Sequence, residues 1–545
     1  MFFALNTGGF AGTWTDATSD QQLVRHLLEL YFCWEYPALA SLSREHFIAD
    51  FAAGRPRFCS SLLVNALLSL ACRFSDRPES RNQDNQSHTA GDNFFDEAQR
   101  LFWAMDDHRG LTTIQALGIM SIRQASCGRD AESRYYAGQS VRLCIELGLH
   151  RCSPDVSQDD EQVVRLATFW GAFALDHAWS LTTGSLPQFS RFPRFPPKIT
   201  TKPEIENALW VPYTDDGSLL HHPCEQPSHI ISVFKSFCEL SEIVHSAMYT
   251  LHCPAKAPDR DDMLNIYSMF LSWYDSLPAV FRLGGNFTPQ VLFMHGYYHY
   301  AIILTFRPFL DLRLKNSNIL PRSVCIQAAD AIHGHMRSYS QLYSLRRTPW
   351  FMPYLVLMSS RLYLSVGGLY LSPDTSGSLS AGLRQALWSA RGAEDISDTL
   401  NRVQQGLDNL GEMRPCHGAA TIAWNMLRYL NDALEVYVEI SRALEGGQWQ
   451  GGEFDPRWVA FSEKRGLDFF PPSPGENQSE GYVQGSTDGM DRAGQEGRSI
   501  DGMLSLLQSS DALKSALYWP SPRRPPPLII LTGPALEKAG FKPLE

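Results

Sequence analysis

The stretch LTTIQALGIMSIRQASCGRDAESRYYAGQSVRLCIELGLH, residues 111–150, decides the fold class because it contains two helical patterns separated by a short break. Apolar residues recur three and four positions apart in both halves, as in helices that bury one face. The stripes are Leu111, Ile114, Leu117, Gly118, Ile122 and Ala125, then Tyr135, Gly138, Val141, Ile145 and Leu149. Between them Gly128 predicts a helix stop and Asp130 an N-cap. The stretch therefore predicts a short antiparallel helical hairpin.

The helical pattern continues on both sides of this hairpin, over residues 21–445. The segment VVRLATFWGAFALDHAWSLTTG, residues 163–184, is apolar on nearly every side, which predicts a central helix surrounded by other helices. Repeated prolines in residues 186–204 predict an extended connection. Residues 353–371 predict a buried helix, since Arg361 at their centre would cost about 2.5–3.5 kcal/mol in a bilayer. Convincing alternating strands are absent from the sequence, so we predict an all-α fold.

Composition restricts the functional classes. With 545 residues, 44% of them hydrophobic, the chain can bury a large core of two or three helical layers or subdomains. A formal net charge of -11 argues against a chain that holds a nucleic-acid backbone by itself. The 11 cysteines are scattered without a C-x-x-C pair, which indicates free thiols in a reducing compartment. The N-terminus lacks the positive region of a signal peptide, so we expect an intracellular protein.

The chain divides by composition into a leader (residues 1–20), the helical domain (21–445), a largely disordered linker (446–498), an amphipathic segment (499–519) and a Pro-rich tail (520–545). The amphipathic segment follows an acidic linker and would have one apolar side if helical. It is therefore a candidate partner-binding element, with a C-terminal helix docked on the chain's own core as the alternative. Its apolar residues are Met503, Leu504, Leu507, Leu513, Leu517 and Trp519.

The end of the hairpin has two interpretations. Glu146 and His150 share a helix face, with Cys144 and Cys152 nearby, so ligands for a zinc ion could converge there. In the structural interpretation Gly148 ends the helix, and His150 lies beside the negative helix end.

A second enzymatic alternative is an all-α terpene cyclase that uses magnesium. The segment NDALEVYVE loosely resembles the second metal motif of that family, with Asn431, Asp432 and Glu439 in matching places and Glu435 where Ser or Thr is usual. The partner motif D-D-x-x-D/E is missing from the sequence, which leaves too few carboxylates for a magnesium cluster. The alternative is that these residues form an ordinary solvent-exposed helix face.

Four segments, in order, resemble the regulatory domain of fungal zinc-cluster transcription factors, also called the middle homology region or fungal-specific transcription factor domain. They are LLELYFCWEYPALASLSREHF (27–47), the hairpin (112–151), ATFWGAFALDHAWSLTTG (167–184) and YYHYAIILTFRPFL (297–310). The residues that match the family's motifs are Gln115, Gly138, Arg142, Gly148, His150, Trp170, Asp176, Arg307 and Pro308. His177 departs from the family, which commonly has Arg there, and GSLP (184–187) replaces the usual Gly-Arg-Pro.

This resemblance implies a nuclear, non-enzymatic transcriptional regulator of a metabolic pathway, in which the motif residues have structural roles and Arg142 and His150 are not catalysts. It implies transcription machinery or co-regulators as partners, no membrane, and no cofactor in this chain. Dimerisation, with itself or with a relative, is left open. Zinc and DNA binding are expected only through the family's N-terminal six-cysteine module, which does not precede the domain here. Either the sequence is truncated, or the regulator acts on DNA through a partner protein.

Aromatic residues on several helices raise one further hypothesis. Trp170, Trp179, Tyr297 and Tyr300 could line a ligand pocket. Aromatic stripes more often form plain core, and this alternative stays open at the level of sequence.

Overall fold

The computed structural model describes residues 14–81, 89–151, 159–190, 194–214, 225–252, 256–366, 393–445 and 533–544. The chain forms two compact units. The first contains Met1–Ser359, Asn409–Thr421 and Pro525–Glu545, and the second contains Ser360–Asp408 and Ile422–Arg524. Within the described residues both units are almost entirely helical, which confirms the predicted all-α class.

The described helices are numbered in chain order. They are α1 Gln21–Leu30, α2 Arg44–Ala53, α3 Ser61–Ala71, α4 Asp92–Trp103, α5 Leu111–Ser126, α6 Asp130–Glu146, α7 Asp160–Thr183, α8 Pro203–Glu206, α9 Ile230–Leu251, α10 Arg260–Ser276, α11 Pro289–Phe306, α12 Pro321–Tyr343, α13 Met352–Leu364, α14 Ala393–Met413, α15 Gly418–Glu445 and α16 Pro534–Lys538. The strands are β1 Leu209–Trp210, β2 Gln226–Pro227, β3 Leu312–Leu314 and β4 Phe541–Pro543.

The first helix begins where the pattern predicts. The carboxylate of Asp20 caps α1 by accepting the backbone N–H groups of Gln22, at 2.8 Å, and Leu23. The chain continues into a buried π-helical turn, Tyr31–Glu35. Ahead of α1, Thr15 Oγ1 donates to Asn65 Oδ1 at 2.6 Å, so part of the predicted leader packs against α3.

Helices α5 and α6 form the predicted antiparallel hairpin. Ser140 Oγ donates to the carbonyl of Ile114 at 3.0 Å, and the hydroxyls of Ser121 and Ser133 lie 3.0 Å apart. The contacting positions therefore run in opposite directions along the two helices, as an antiparallel pair requires.

Two details of the hairpin prediction are wrong. Asp130 is the first residue of α6 and not its N-cap, because its carboxylate is buried and accepts the hydroxyl of Tyr354 at 2.6 Å. The predicted stripe of α6 includes Tyr135 and Ile145, which are 45% and 38% exposed. The buried face of α6 is shifted by about one residue from the predicted face, since Tyr136 packs edge-on against Phe95 of α4. It consists of Ser133, Tyr136, Ala137, Ser140, Val141, Leu143 and Cys144, together with Asp130.

Helix α7 is the predicted central helix. Asp159 caps its N-terminus through the N–H of Gln162 at 2.9 Å, and Gly184 ends it with a φ of 67°. From Val164 to Leu181 almost every side chain is buried. The helix packs against α5 and α6 on one side and α9 on another, which explains the apolar residues around its whole circumference.

Short strands and one short helix complete the first unit. Strand β1 pairs with β2, and β3 pairs with β4, both antiparallel over two or three residues. The connection predicted to be extended is non-helical over its described residues until α8, which begins at Pro203. Proline, which has no backbone N–H, is tolerated there because the N–H of a first helical residue would have no acceptor within the helix.

Helix α13 corresponds to the segment predicted as a buried helix. Its residues are buried, Arg361 included at 5% exposure, which confirms the prediction for Met352–Leu364; residues 367–371 lie outside the described part of the chain. None of the helices in the described ranges is long and apolar enough to cross a membrane. Within the second unit, Gly406 of α14 lies so close to Ser360 that a Cβ would be 2.0 Å from the serine Oγ.

Candidate functional site

The end of α6 has the geometry of a helix terminus. Gly148 has a φ of 63°, and the N–H of that glycine donates to Ile145 at 3.0 Å. Leu149 then folds back into the core with no exposure. His150 lies in a short 3₁₀ turn, where burial and the neighbouring Arg151 lower its pKa.

Cys144 and Glu146 are not brought together as zinc ligands. Glu146 accepts Arg142 Nε at 2.8 Å on the exposed face of α6, whereas Cys144 is fully buried on the opposite face. Cys152 lies outside the described residues. In the described part of the chain no three His, Cys, Asp or Glu side chains are grouped so that they could hold a metal ion.

Gln115 and Gly138 fasten the hairpin to its surroundings. Gln115 is buried and its Nε2 donates to Thr168 Oγ1 of α7 at 2.8 Å. At Gly138 a Cβ would lie 3.1 Å from the amide of Gln188, so a larger residue would push against the loop after α7. Gln115 therefore connects the hairpin to the central helix, and Gly138 leaves room for the side chain of Gln188 in the loop that follows it.

Trp170 and Asp176 hold the loop that follows α7. The indole N–H of Trp170 donates to the carbonyl of Pro197 at 3.0 Å, and Lys198 Nζ lies 4.9 Å from the centre of the ring. The carboxylate of Asp176 accepts the N–H of Phe189 at 3.0 Å. Burial raises the pKa of Asp176 to about 7, although this backbone hydrogen bond opposes the rise.

His177 replaces the arginine that is common in the family and is neutral. Its Nδ1 donates to the carbonyl of Phe173 at 2.6 Å, and its Nε2 accepts from His245 Nδ1 at 2.8 Å. Burial and the neighbouring His245 lower its pKa to about 3. His177 and His245 thus form a neutral connection between α7 and α9.

Arg307 and Pro308 begin the 3₁₀ turn after α11, where the proline occupies the first turn. Arg307 Nη1 lies 3.2 Å from Met358 Sδ of α13. These two residues position Phe309, which is buried.

A buried polar network joins segments that are distant in sequence and was not anticipated from it. The guanidinium of Arg73 forms a salt bridge with Glu35, and Arg73 Nη1 donates to His417 Nε2 at 2.9 Å. The second oxygen of Glu35 accepts the N–H of Trp350 at 3.3 Å, and the hydroxyl oxygen of Thr348 lies 3.0 Å from His417 Nε2. The network connects the π-helical turn, the 3₁₀ turn Cys72–Phe74 after α3 and the residue that precedes α15.

A second buried charge is paired in a similar way. Arg123 of α5 forms a salt bridge with Asp92 and donates to the carbonyl of Ala90 at 3.1 Å. The only sequence signal for these pairs is a charged residue within an apolar helical pattern. That signal does not identify the partner.

The chemistry of the described thiols argues against a nucleophilic site. All eight described cysteines are buried. Burial raises the pKa of Cys33 to about 12 and that of Cys416 to about 11, so both remain protonated at neutral pH. A nucleophilic cysteine needs the opposite shift.

The aromatic residues suggested as a pocket are packed as core. Trp170, Trp179, Tyr297 and Tyr300 are each at most 4% exposed. A small cavity among α5, α6 and α7, lined by residues that include Gln115 and Thr168, has room for about one water molecule.

The motif of the cyclase alternative lies on α15. Asn431 is buried and Asp432 is half-buried, while the side chains of Glu435 and Glu439 lie outside the described part of the structure. The partner-binding candidates Met503, Leu504, Leu507, Leu513, Leu517 and Trp519 also lie outside the described residues.

Comparison with known proteins finds relatives that are similar to this core. Residues 28–277 match the model of the fungal specific transcription factor domain. The chain is 36% identical over 356 residues to the nitrogen assimilation transcription factor nit-4 of Neurospora crassa, covering 62% of this chain and 32% of that protein. It is also 36% identical over 356 residues to nirA of Emericella nidulans, with 62% and 40% coverage.

A more distant relative is the notoamide biosynthesis transcriptional activator notL' of Aspergillus versicolor, 27% identical over 316 residues, with 56% of this chain and 48% of that protein covered. The matched region thus spans less than half of these relatives' lengths. No solved structure matches the chain. The matched residues contain the hairpin, the central helix and the loop that Trp170 and Asp176 hold, so this part of the chain is similar to the fungal specific transcription factor domain.

Proposed function

We propose that this chain is a nuclear transcriptional regulator of a metabolic pathway. The observation that carries the proposal is the match of residues 28–277 to the fungal specific transcription factor domain. Two relatives at 36% identity are named nitrogen assimilation transcription factors, so nitrogen-source genes are the first targets to test.

The regulator acts by binding and not by catalysis. The described cysteines are buried, and the described acidic residues of the core are hydrogen-bonded or paired, as Glu35 and Asp92 are. The relatives are named as transcription factors, which favours this function over the terpene-cyclase alternative. Purified protein with magnesium and prenyl diphosphates is expected to release no diphosphate above background.

Its partners are the transcription machinery or co-regulators. A formal net charge of -11 gives the chain little attraction for a phosphate backbone, so DNA is reached through a zinc-binding module or through a partner protein. We expect the chain as given to bind neither zinc in stoichiometric amount nor duplex DNA specifically. Metal analysis and a DNA titration at physiological salt test this, and tight sequence-dependent binding would contradict it.

The central experiment is disruption of the gene in its own fungus, followed by transcript profiling on several nitrogen sources. We expect a defined set of nitrogen-metabolism transcripts to lose their response, and expression of the intact gene to restore it. If the transcripts that change all belong to another pathway, the chain is still a regulator, but nitrogen metabolism is not the pathway that it regulates. An unchanged transcriptome on every source would reject the function itself.

The segment 499–519 is proposed as the contact with the transcription machinery. Its fusion alone to a heterologous DNA-binding domain is expected to activate a reporter, and a silent fusion would favour the docked-helix alternative. A matched control replaces Leu507 and Leu513 with Ser, which removes apolar contacts and leaves the charge unchanged.

A further inference from the structure

The last described residues of the chain return to the first unit and complete a sheet there. Strand β4 pairs with β3 in antiparallel register, with Leu314 opposite Phe541 and Leu312 opposite Pro543. The ladder is extended at both ends, because Lys315 N donates to Gly540 O and Leu544 N donates to Asp311 O, each at 2.8 Å. Within the described residues β3 pairs with no other strand.

One side chain anchors this C-terminal segment, which we define as residues 533–544. Phe541 is 2% exposed and stacks on Phe309 with ring centres 5.4 Å apart and planes 13° from parallel. Phe309 belongs to the turn that begins with the motif residues Arg307 and Pro308. The neighbouring side chains of Lys542 and Pro543 are exposed, so a single aromatic ring fills the site.

The residue before the anchor must be glycine. Gly540 has a φ of 87°, and a Cβ at this position would lie 2.7 Å from the Cβ of Arg260. The backbone N–H of Arg260, at the start of α10, donates to Ala539 O at 2.9 Å. Lys315 Nζ donates to the carbonyl of Glu537 at 2.9 Å. The surface therefore recognises backbone, a glycine and an aromatic ring in a fixed order.

We propose that the edge of β3 that pairs with β4, together with Phe309 and Arg260, is a peptide-binding site whose occupant is the chain's own C-terminal segment, held reversibly. A short backbone ladder with one side-chain anchor is the arrangement by which extended peptides add to a sheet edge reversibly. Of the segment's twelve described residues, Phe541 alone is buried, unlike the residues of the helices in the core. The inference does not depend on the proposed function.

The test uses the full chain and a labelled peptide of residues 533–545. In the Phe541→Ala chain the anchor is lost, the site opens, and the peptide is expected to bind at least about tenfold more tightly than to the native chain. Lys542→Ala is the matched control, because this side chain is exposed on the same strand and its loss should leave the site occupied. A peptide carrying Phe541→Ala should bind neither chain.

Hydrogen exchange distinguishes release from unfolding. The amide of Lys315 donates to Gly540 and should exchange at least about tenfold faster in Phe541→Ala, while amides of α7 keep their protection. The added peptide should restore protection at Lys315. The proposal is overturned if the peptide fails to bind the Phe541→Ala chain. It is also overturned if protection is lost throughout the first unit, since the segment would then be a permanent part of the core.

Discussion

Replacement of Arg73 by Met tests whether the buried polar network holds an ionised pair. Methionine keeps most of the length of the arginine stem but removes the charge and the donors to Glu35 and His417. The side chains of Arg73 and Glu35 are 4% and 2% exposed, so the carboxylate would be left without its cation away from water. Breaking a buried pair by removing one partner costs about 3–5 kcal/mol of unfolding free energy.

The matched control is Arg142→Met, the same substitution in a pair with Glu146 at 2.8 Å whose side chains are 67% and 40% exposed. We expect little or no loss of unfolding free energy there, because exposed pairs are screened by water. Urea unfolding followed by far-UV circular dichroism gives both values, and hydrogen exchange at α3 assigns the transition to the first unit. If Arg73→Met lowers the free energy of unfolding no more than Arg142→Met does, the inference that Arg73 and Glu35 form a buried ionised pair is refuted.

The pH dependence of the same variant has a definite sign. Burial raises the pKa of Glu35 above its ordinary value, and the neighbouring Arg73 opposes this rise. A group whose folded-state pKa is raised contributes stability at low pH that is lost as the pH rises through that pKa. Without Arg73 the rise is larger, so the cost of Arg73→Met should be greater at pH 8 than at pH 5. An equal cost at both pH values would show that Glu35 is not the group left unpaired.

Three further substitutions, one of them with a matched control, test other parts of the core. Tyr354→Phe removes the 2.6 Å hydrogen bond to the buried Asp130, and urea unfolding should show a loss of about 1–3 kcal/mol. Asp176→Asn keeps an acceptor for the N–H of Phe189 but cannot ionise. Because the folded-state pKa of Asp176 is about 7, the stability of the native protein should fall relative to that of this variant between pH 5 and pH 8. Parallel pH profiles of the two proteins would contradict the burial argument. Gly171→Ala places a Cβ 2.3 Å from Ser41 Cβ and should cost about 1–3 kcal/mol in thermal or urea unfolding, whereas Gly334→Ala, with no atom within 4 Å, should be neutral or stabilising by up to about 1 kcal/mol.

Local patterns were enough to predict the helical elements. The continuous apolar pattern of residues 163–184 predicts a helix buried on all sides, and α7 has that environment because helices surround it. Gly184 and Gly148 mark helix ends where the backbone takes a positive φ. These features depend on neighbours in sequence, which is why sequence alone reveals them.

Long-range pairings could not be predicted in the same way. Glu35 and Arg73 are ordinary charged residues in sequence, and His417 is separated from Arg73 by 344 positions. The buried face of α6 differs from the predicted face by one residue, because packing against Phe95 and α5 decides which side of the helix is buried. The periodicity of α6 alone does not contain this information. The pairing of β4 with β3 escaped prediction because three residues carry too little pattern to indicate a strand.

The long sequence separation between β3 and β4 has a consequence for biosynthesis. Lys315 and Glu537, which contact each other beside this sheet, are separated by 222 residues, and at ribosomal rates of about 5–20 residues per second that length takes about 11–44 s to synthesise. Throughout this interval the nascent chain already contains β3 but not the strand that covers it. An uncovered strand edge invites pairing with other chains. Premature termination between Leu314 and Phe541 would therefore leave each released protein with an uncovered strand edge, and nascent chains on one polyribosome would be the nearest copies available to pair with it.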